Sequence, residues 1–351
     1  MKPALRVVTS GLMTTLQDLG RPGYQRLGIP VSGALDAVSL RAANLLVGNA
    51  QGTGALEIAY QGPTLAVEAE SVRVAFTGAS APIDIVSDEG ASGIRRVPPL
   101  QSVRLGKGQL LRIGALSGSA VGYLAVEGGF DIAPALGSQS TFARAGLGGQ
   151  HGRALRQGDR LPLRHEQAQD RQECILPSLD LAAPRHFRVV LGPQDDYFSE
   201  QGKRTLLESV YTVTPASDRM GMRLEGPLLE HTGGYNIVSD GIAPGSIQVP
   251  GNGLPIVLLA DRQTTGGYPK IATVISADIP ALGRLTPGAK VAFAAVDLTA
   301  AEAAHHQLHA DIDTIARSIV NLRAAVDATK LQEANLVSGM IDAHDWRPER
   351  A

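Results

Sequence analysis

The densest run of groups able to do chemistry lies near residue 260. Val249-Pro250-Gly251-Asn252-Gly253 leads into an apolar stretch over 255–260. Asp261-Arg262-Gln263-Thr264-Thr265-Gly266-Gly267-Tyr268-Pro269-Lys270 follows at once. A sheet fixes the residues at a strand's end and leaves their side chains accessible, which is where binding and catalytic groups collect. Asp261 suits a general base or a group orienting Arg262. Gln263, Thr264 and Thr265 suit hydrogen bonds to a polar ligand, and Lys270 suits a carboxylate. A β-turn with a capped aspartate accounts for the same residues equally well.

Three further clusters carry charge. Arg219 and Arg223, within Pro215-Ala216-Ser217-Asp218-Arg219-Met220-Gly221-Met222-Arg223-Leu224, could grip an anion or decorate a surface turn. Arg21 sits in a polar segment over 14–24. Arg144 and His151 flank Gly146-Leu147-Gly148-Gly149-Gln150-His151-Gly152. Cations beside exposed amides suit an anion, although a glycine-rich corner needs no ligand. His305 and His309 are spaced to share a helix face, with His306 and Glu302 close by. A solvated face is preferred over a metal site there, since nothing supplies outer-shell support, and no metal is expected.

Familiar catalytic signatures are missing. The sequence holds no G-x-x-x-x-G-K-[ST], H-E-x-x-H, C-x-x-C or G-x-S-x-G. The charge balance, 32 Lys+Arg against 34 Asp+Glu, argues against a polyanion partner, and 4% aromatics argue against a base-stacking surface. The lone Cys174 excludes an internal disulfide and fits a reducing compartment. With no long apolar run and no secretory leader, a cytoplasmic protein is expected, without membrane or nucleic-acid partners.

The elements that must position these groups read mainly as strands. At 351 residues, two domains are expected, and 40 Gly with 21 Pro punctuate short apolar runs. Strands are expected near residues 5–8, 56–60, 64–68, 72–76, 83–86, 111–113, 187–191, 210–213, 246–249, 255–260 and 290–293. That spacing indicates a sandwich or barrel. One helix over 36–46, capped by Asp36 and stopped at Gly48-Asn49, would plug a small barrel. Polar residues 164–186 read as a linker. Residues 104–111, 156–161 and 284–291 echo one another as a turn feeding a strand, as duplication or common turn chemistry would produce. Thr299-Ala300-Ala301-Glu302 reads as a capping box. Leu308, Ile312, Ile315, Ile319, Leu322 and Val326 then form the apolar stripe of a C-terminal helix that docks on its own domain.

The clusters also carry a resemblance. Gln17-Asp18-Leu19-Gly20-Arg21-Pro22-Gly23-Tyr24, Leu35-Asp36 and Ala43-Asn44-Leu45-Leu46-Val47-Gly48-Asn49 resemble the opening of the biotin-dependent carboxyltransferase / allophanate hydrolase subunit 2 family. Phe76-Thr77-Gly78-Ala79, Gly137-Ser138-Gln139-Ser140-Thr141, Gly152-Arg153-Ala154-Leu155 with Gly158-Asp159, and Ser217-Asp218-Arg219-Met220-Gly221 continue the likeness. The ordered run over 248–271 is its most specific part, and the whole spans roughly residues 5–297.

The resemblance implies two cyclophilin-like β-barrel domains, over 1–180 and 185–298, followed by a C-terminal helix and tail over 299–351. It also implies a branch. Without a biotin-carrier or biotin carboxylase segment, the chain is expected beside the 5-oxoprolinase subunits, which open 5-oxoproline to L-glutamate with ATP. The partners implied are an A-like protein and a B-like (kinase-inhibitor-type) protein of the same enzyme, with ATP handled by the complex. Lactam opening needs an activated carbonyl, a placed water and stabilised developing charge. Under this reading Asp261 is base or orienter, Arg219 and Arg262 hold anionic groups, and Lys270 holds the substrate carboxylate. Gln263, Thr264, Thr265, Arg223, His151, Arg144 and Arg21 would complete the binding site. Two alternatives remain: a biotin-dependent carboxyltransferase acting on urea or a related amide, and a non-catalytic regulator of an inhibitor-like partner.

Overall fold

A computed structural model describes residues 2–87 and 93–322. The architecture is mainly β with four α-helices among the described residues. The N-terminal half pairs two antiparallel sheets. One has six strands in the order Arg160–Pro162, Ala4–Thr9, Thr64–Val67, Leu110–Ile113, Ile83–Val86, Ile94–Arg96. The other has five, in the order Met13–Gln17, Ala55–Ala59, Val121–Val126, Ser71–Thr77, Ser102–Gly106. Leu5, Val7 and Leu111 of the first meet Leu56, Val74, Phe76 and Leu124 of the second in one core. Where one closed barrel was expected, these two sheets remain open at their edges among the described residues.

The second half does close. Phe187–Leu191, Lys270–Val274, Ser246–Gln248, Ile256–Leu258, Gly221–Glu225, Val210–Val213 and Lys290–Ala295 form a seven-stranded ring. The ring is sealed by a parallel pairing of Phe187–Leu191 with Lys290–Ala295. Phe187, Tyr211, Ile247, Val257, Ile271 and Phe293 fill it.

Helix α1 (Ala37–Leu46) has the expected cap: Asp36 accepts from the N–H groups of Val38 and Ser39. Its expected place is corrected. It does not plug a barrel but covers the outer face of the five-stranded sheet. There Leu40, Ala43 and Leu46 pack on Ala55, Ala75, Tyr123 and Ala125. Strand alternation sends Leu124 and Val126 inward and Tyr123 and Ala125 outward, so this sheet is apolar on both faces and needs a cover. Helices α2 (Glu200–Glu208) and α3 (Ile279–Gly283) flank the barrel.

Helix α4 (Leu298–Ser318) docks on the fold through Ile312, which is buried, and through Ile315. Its cap is Asp297, whose carboxylate accepts from the Ala300 N–H at 2.8 Å, rather than the expected Thr299. The helix also stops before the end of the predicted stripe. Val320–Asn321 pairs antiparallel with Cys174–Ile175, and that ladder draws the backbone out of the helix. Ile319 and Leu322 therefore lie beyond it, and Val326 lies outside the described residues. No helix among the described residues is long and apolar enough to cross a membrane.

The polar stretch expected as a linker is strapped down over part of its length. Buried Arg73 donates to Glu173 and Glu127 and to the carbonyls of Gln169 and Arg171. A guanidinium's planar fork can hold several chain segments at once.

The three echoing segments share one hydrogen-bonded turn. Gln109, Asp159 and Ala289 each donate to the carbonyl three residues back. Gly108, Gly158 and Gly288 each adopt φ of 85–88° at the third turn position, as a type II turn requires. Each glycine N–H then donates to a strand valine carbonyl: Val67, Val7 and Val213. Each valine N–H donates back to the residue after the glycine. The echo is thus a repeated structural unit in both halves of the molecule.

Candidate functional site

Strand Ile256–Leu258 ends in a turn that sends three consecutive side chains to three surroundings. Asp261 joins the junction between the sheets and the barrel, Arg262 the wall of a cavity beneath α4, and Gln263 a polar groove on the barrel.

At the junction, Arg219 binds Asp261 in a bidentate pair, Nε–Oδ2 at 2.8 Å and Nη2–Oδ1 at 3.1 Å. Nη2 also donates to the Gly33 carbonyl at 2.7 Å, and Nη1 donates to Glu57. Glu57 accepts from the buried Tyr123 hydroxyl at 2.6 Å and the Leu35 N–H at 2.8 Å. That hydroxyl accepts the Asp36 N–H at 2.8 Å. Arg284 completes the contact by donating to Asp36 at 2.8 Å and to the Leu181 carbonyl. Here a Cβ on Gly283 would stand 2.4 Å from the Leu35 carbonyl oxygen, so only glycine allows the approach. Burial works to lower the Arg219 pKa, but Glu57 and Asp261 more than reverse it and hold the group above its ordinary value. The guanidinium expected to hold an anion is therefore already filled by protein carboxylates. A largely apolar cavity of about 400 Å³ opens beside Glu57 and Arg219.

Lys270 is also committed. Its buried ammonium donates to Asp240 at 2.7 Å and to the Gly241 carbonyl at 3.1 Å. Asp240 is brought there by the pairing of Asp240–Gly241 with Thr265–Gly266, and Gln194 supports it at 3.1 Å. The Asp240 carboxyl is held below its ordinary range by Lys270 first, then by Gln194 and the Gly241 N–H. Thr265 is exposed on this hairpin, while Thr264 is buried and its carbonyl accepts the Ile242 N–H.

The polar groove has a volume of about 600 Å³. Gln248 and Gln263 form part of its wall, with Tyr268 beside them and Arg144, Asp218 and Arg223 toward its other end. The Gln263 side-chain amide nitrogen donates to the Gln248 side-chain oxygen, Oε1, at 3.1 Å. Its own buried carbonyl oxygen has no partner, so it is an acceptor in need of a donor. Arg223 is exposed, and among the described residues no carboxylate lies within 4.0 Å of it. Arg144 reaches Asp218 only at 3.9 Å.

Two other expected residues lie apart. Arg21 is buried, with Nη2 donating to the Ser140 carbonyl and Nη1 unpartnered, and burial lowers its pKa. His151 is exposed beside the glycine-rich loop, where backbone hydrogen bonds of the kind a glycine-rich corner needs take up four amides. Gly146, Leu147, Gly149 and Gly152 all donate to backbone carbonyls.

Sequence reading missed Glu57, Tyr123, Asp240 and Gln248. Each sits in or beside a short strand, and its partner is distant in sequence; 162 positions separate Glu57 from Arg219. Gln248 alone had a local signal, as a polar residue inside an apolar strand.

An open two-sheet unit joined to a closed seven-stranded barrel defines a mainly β class of protein. The chain belongs to the family described as carboxyltransferase domain, subdomain A and B, whose model matches residues 27–295. It is 38% identical over 289 residues to the C subunit of 5-oxoprolinase from Escherichia coli K12, covering 82% of this chain and 90% of that one. It is 37% identical over 309 residues to the C subunit of the Haemophilus influenzae 5-oxoprolinase, covering 87% and 95%. Among solved structures it is similar to the K. lactis urea amidolyase, with a TM-score of 0.79 and 27% identity. That match covers 90% of this chain but 20% of the amidolyase. TTHA0988 matches with a TM-score of 0.73 and 35% identity over 84% of this chain and 56% of its own length.

Proposed function

We propose that this chain is the C-type component of an ATP-dependent 5-oxoprolinase, opening 5-oxoproline to L-glutamate with A-like and B-like partner proteins. The observation that carries this reading is the 38% and 37% identity to the C components of two bacterial 5-oxoprolinases, over 90% and 95% of their lengths. The polar groove is consistent with it. 5-Oxoproline presents a lactam N–H and a carboxylate. The unpartnered Gln263 carbonyl offers an acceptor for the N–H, and Arg223, with Arg144 nearby, offers a fork for the carboxylate. Lys270 and Asp261, each tied to a protein ion, act as positioning residues. Thr264, Thr265 and Arg262 hold the strand end from which Gln263 projects. Lactam activation by phosphoryl transfer falls to the partner proteins, because this chain carries no G-x-x-x-x-G-K-[ST] nucleotide loop. The domain division is proposed as two cyclophilin-like units, over 1–180 and 185–298, followed by the segment 299–351.

The test is glutamate release from 5-oxoproline and ATP by the co-purified components. Omitting this chain should abolish it, and Gln263→Ala within an intact complex should lower it at least about tenfold, as loss of one buried hydrogen bond does. Glutamate formed equally well without this chain would end the proposal. The fold likeness to a urea amidolyase favours a second reading, carboxyl transfer from carboxybiotin to an amide. Dependence of product formation on a biotinylated partner would select it.

A further inference from the structure

A further cavity lies beneath α4. It has a volume of about 380 Å³, and α4 forms one wall. Two arginines line it, Arg41 from α1 and Arg262 from the strand end. Among the described residues, neither has a carboxylate within 4.0 Å. Arg21 shares this lack of an acid partner, whereas Arg73, Arg188, Arg219 and Arg284, which are buried or partly so, each carry at least one.

Arg262 is 2% exposed. Of its contacts only Nε to the Ile242 carbonyl, at 3.1 Å, is short, while those of Nη1 and Nη2 are 3.4 and 3.5 Å. A guanidinium has five N–H donors, so most of this one's capacity is unused. Arg41 donates to the neutral Gln51 at 2.7 Å, and its buried Nε has no partner. The buried hydroxyl of Ser32, in the same wall, has none either. Burial lowers the pKa of both arginines with no charge opposing it. Burying Arg262, and part of Arg41, without counter-charge is unfavourable, and proteins pair such groups with an anion.

The remaining wall is largely apolar, with Leu19, Val38, Ile279, Leu308 and Ile312. A small inorganic anion would leave those surfaces empty. A carboxylate on a compact hydrocarbon body would satisfy both parts, the acid on the guanidinium groups and the body against the aliphatic wall. We propose that the cavity beneath α4, lined by Arg41 and Arg262, is a binding site for a small organic carboxylate with an apolar body. This site is distinct from the polar groove, and the proposal does not depend on the 5-oxoprolinase reading.

The test uses the isolated full chain, with hexanoate as probe and 1-hexanol and inorganic phosphate as controls. Ligands that bind the native state raise the unfolding temperature with concentration. Hexanoate should do so saturably, and neither control should. Arg41→Gln should weaken hexanoate binding at least about tenfold, as loss of a charge-assisted pair implies. Leu308→Trp, which fills the cavity from a half-buried position, should abolish it without disturbing the fold, and it serves even if the arginine variant is unstable. Equal effects of hexanoate and hexanol, binding of phosphate in place of hexanoate, no saturable shift, or unaltered binding by Leu308→Trp would each overturn the proposal.

Discussion

The junction and the groove start from neighbouring residues of one turn and treat their polar groups in opposite ways. At the junction, Arg219 meets two carboxylates and a carbonyl, Glu57 meets three donors, and Tyr123 both donates and accepts. In the groove, Gln263 keeps an empty acceptor, and Arg223 keeps an unpaired guanidinium among the described residues. A network whose donors and acceptors are matched has nothing to offer a ligand, and its contribution is to hold segments in place. Unmatched groups facing a cavity are the ones free to recognise something. The difference teaches that a charged strand-end motif is not one site. Its residues divide between fixing the barrel against the sheets and lining the groove with groups left unpaired.

The sharpest way to break this comparison is Arg219→Met. It would leave Glu57 and Asp261 buried and uncompensated, and destabilisation of about 3–5 kcal/mol is expected from the denaturant midpoint. A loss below about 1 kcal/mol would remove the junction's structural role. Next comes Gln263→Ala, whose effect should fall on turnover, lowering kcat/KM about tenfold or more, with a stability loss of no more than about 1–3 kcal/mol from the Gln248 oxygen left without its donor. A large fall in stability instead would place Gln263 with the junction. Tyr123→Phe removes one hydroxyl shared by Glu57 and the Asp36 N–H. It should cost about 1–3 kcal/mol, because both partners stay buried; unchanged thermal unfolding would contradict the network.

The smallest effect concerns pH. The folded-state pKa of Asp240 lies below its ordinary value of 3.8, chiefly through Lys270. Its stabilising contribution is therefore fully present above that value and is lost as pH falls through the lowered one. Since the Asp240 side chain is 52% exposed, screening keeps the change small. Asp240→Asn should flatten the acid side of the stability profile below about pH 4, and an unaltered profile would show the pair to be energetically idle.

Local signals were legible because they act over a few residues. The expected strands near 5–8, 83–86 and 187–191 occur as Ala4–Thr9, Ile83–Val86 and Phe187–Leu191. Asp36 caps α1 because a carboxylate reaches N–H groups two and three residues on. The turn echo survives as a shared hydrogen-bond pattern because Gly108, Gly158 and Gly288 meet the same backbone requirement. Ser71–Thr77 was legible as a strand, but its second buried face, which calls for α1 as a cover, was not. The stripe past Ser318 misled for a related reason. Hydrophobic spacing records which residues seek burial, not whether helix or ladder delivers it.

By itself the sequence determined the β character, the cap of α1, the repeated turn and the crowding of polar groups after residue 260, because each depends on neighbours along the chain. Tertiary structure decided that Asp261, Arg262 and Gln263 serve three surroundings. It decided too that Glu57 closes on Arg219 across 162 positions and that Lys270 is spent on Asp240. Whether a charge is free to bind is set by the groups that reach it in space, and pairing between distant strands leaves no mark in the spacing of either one.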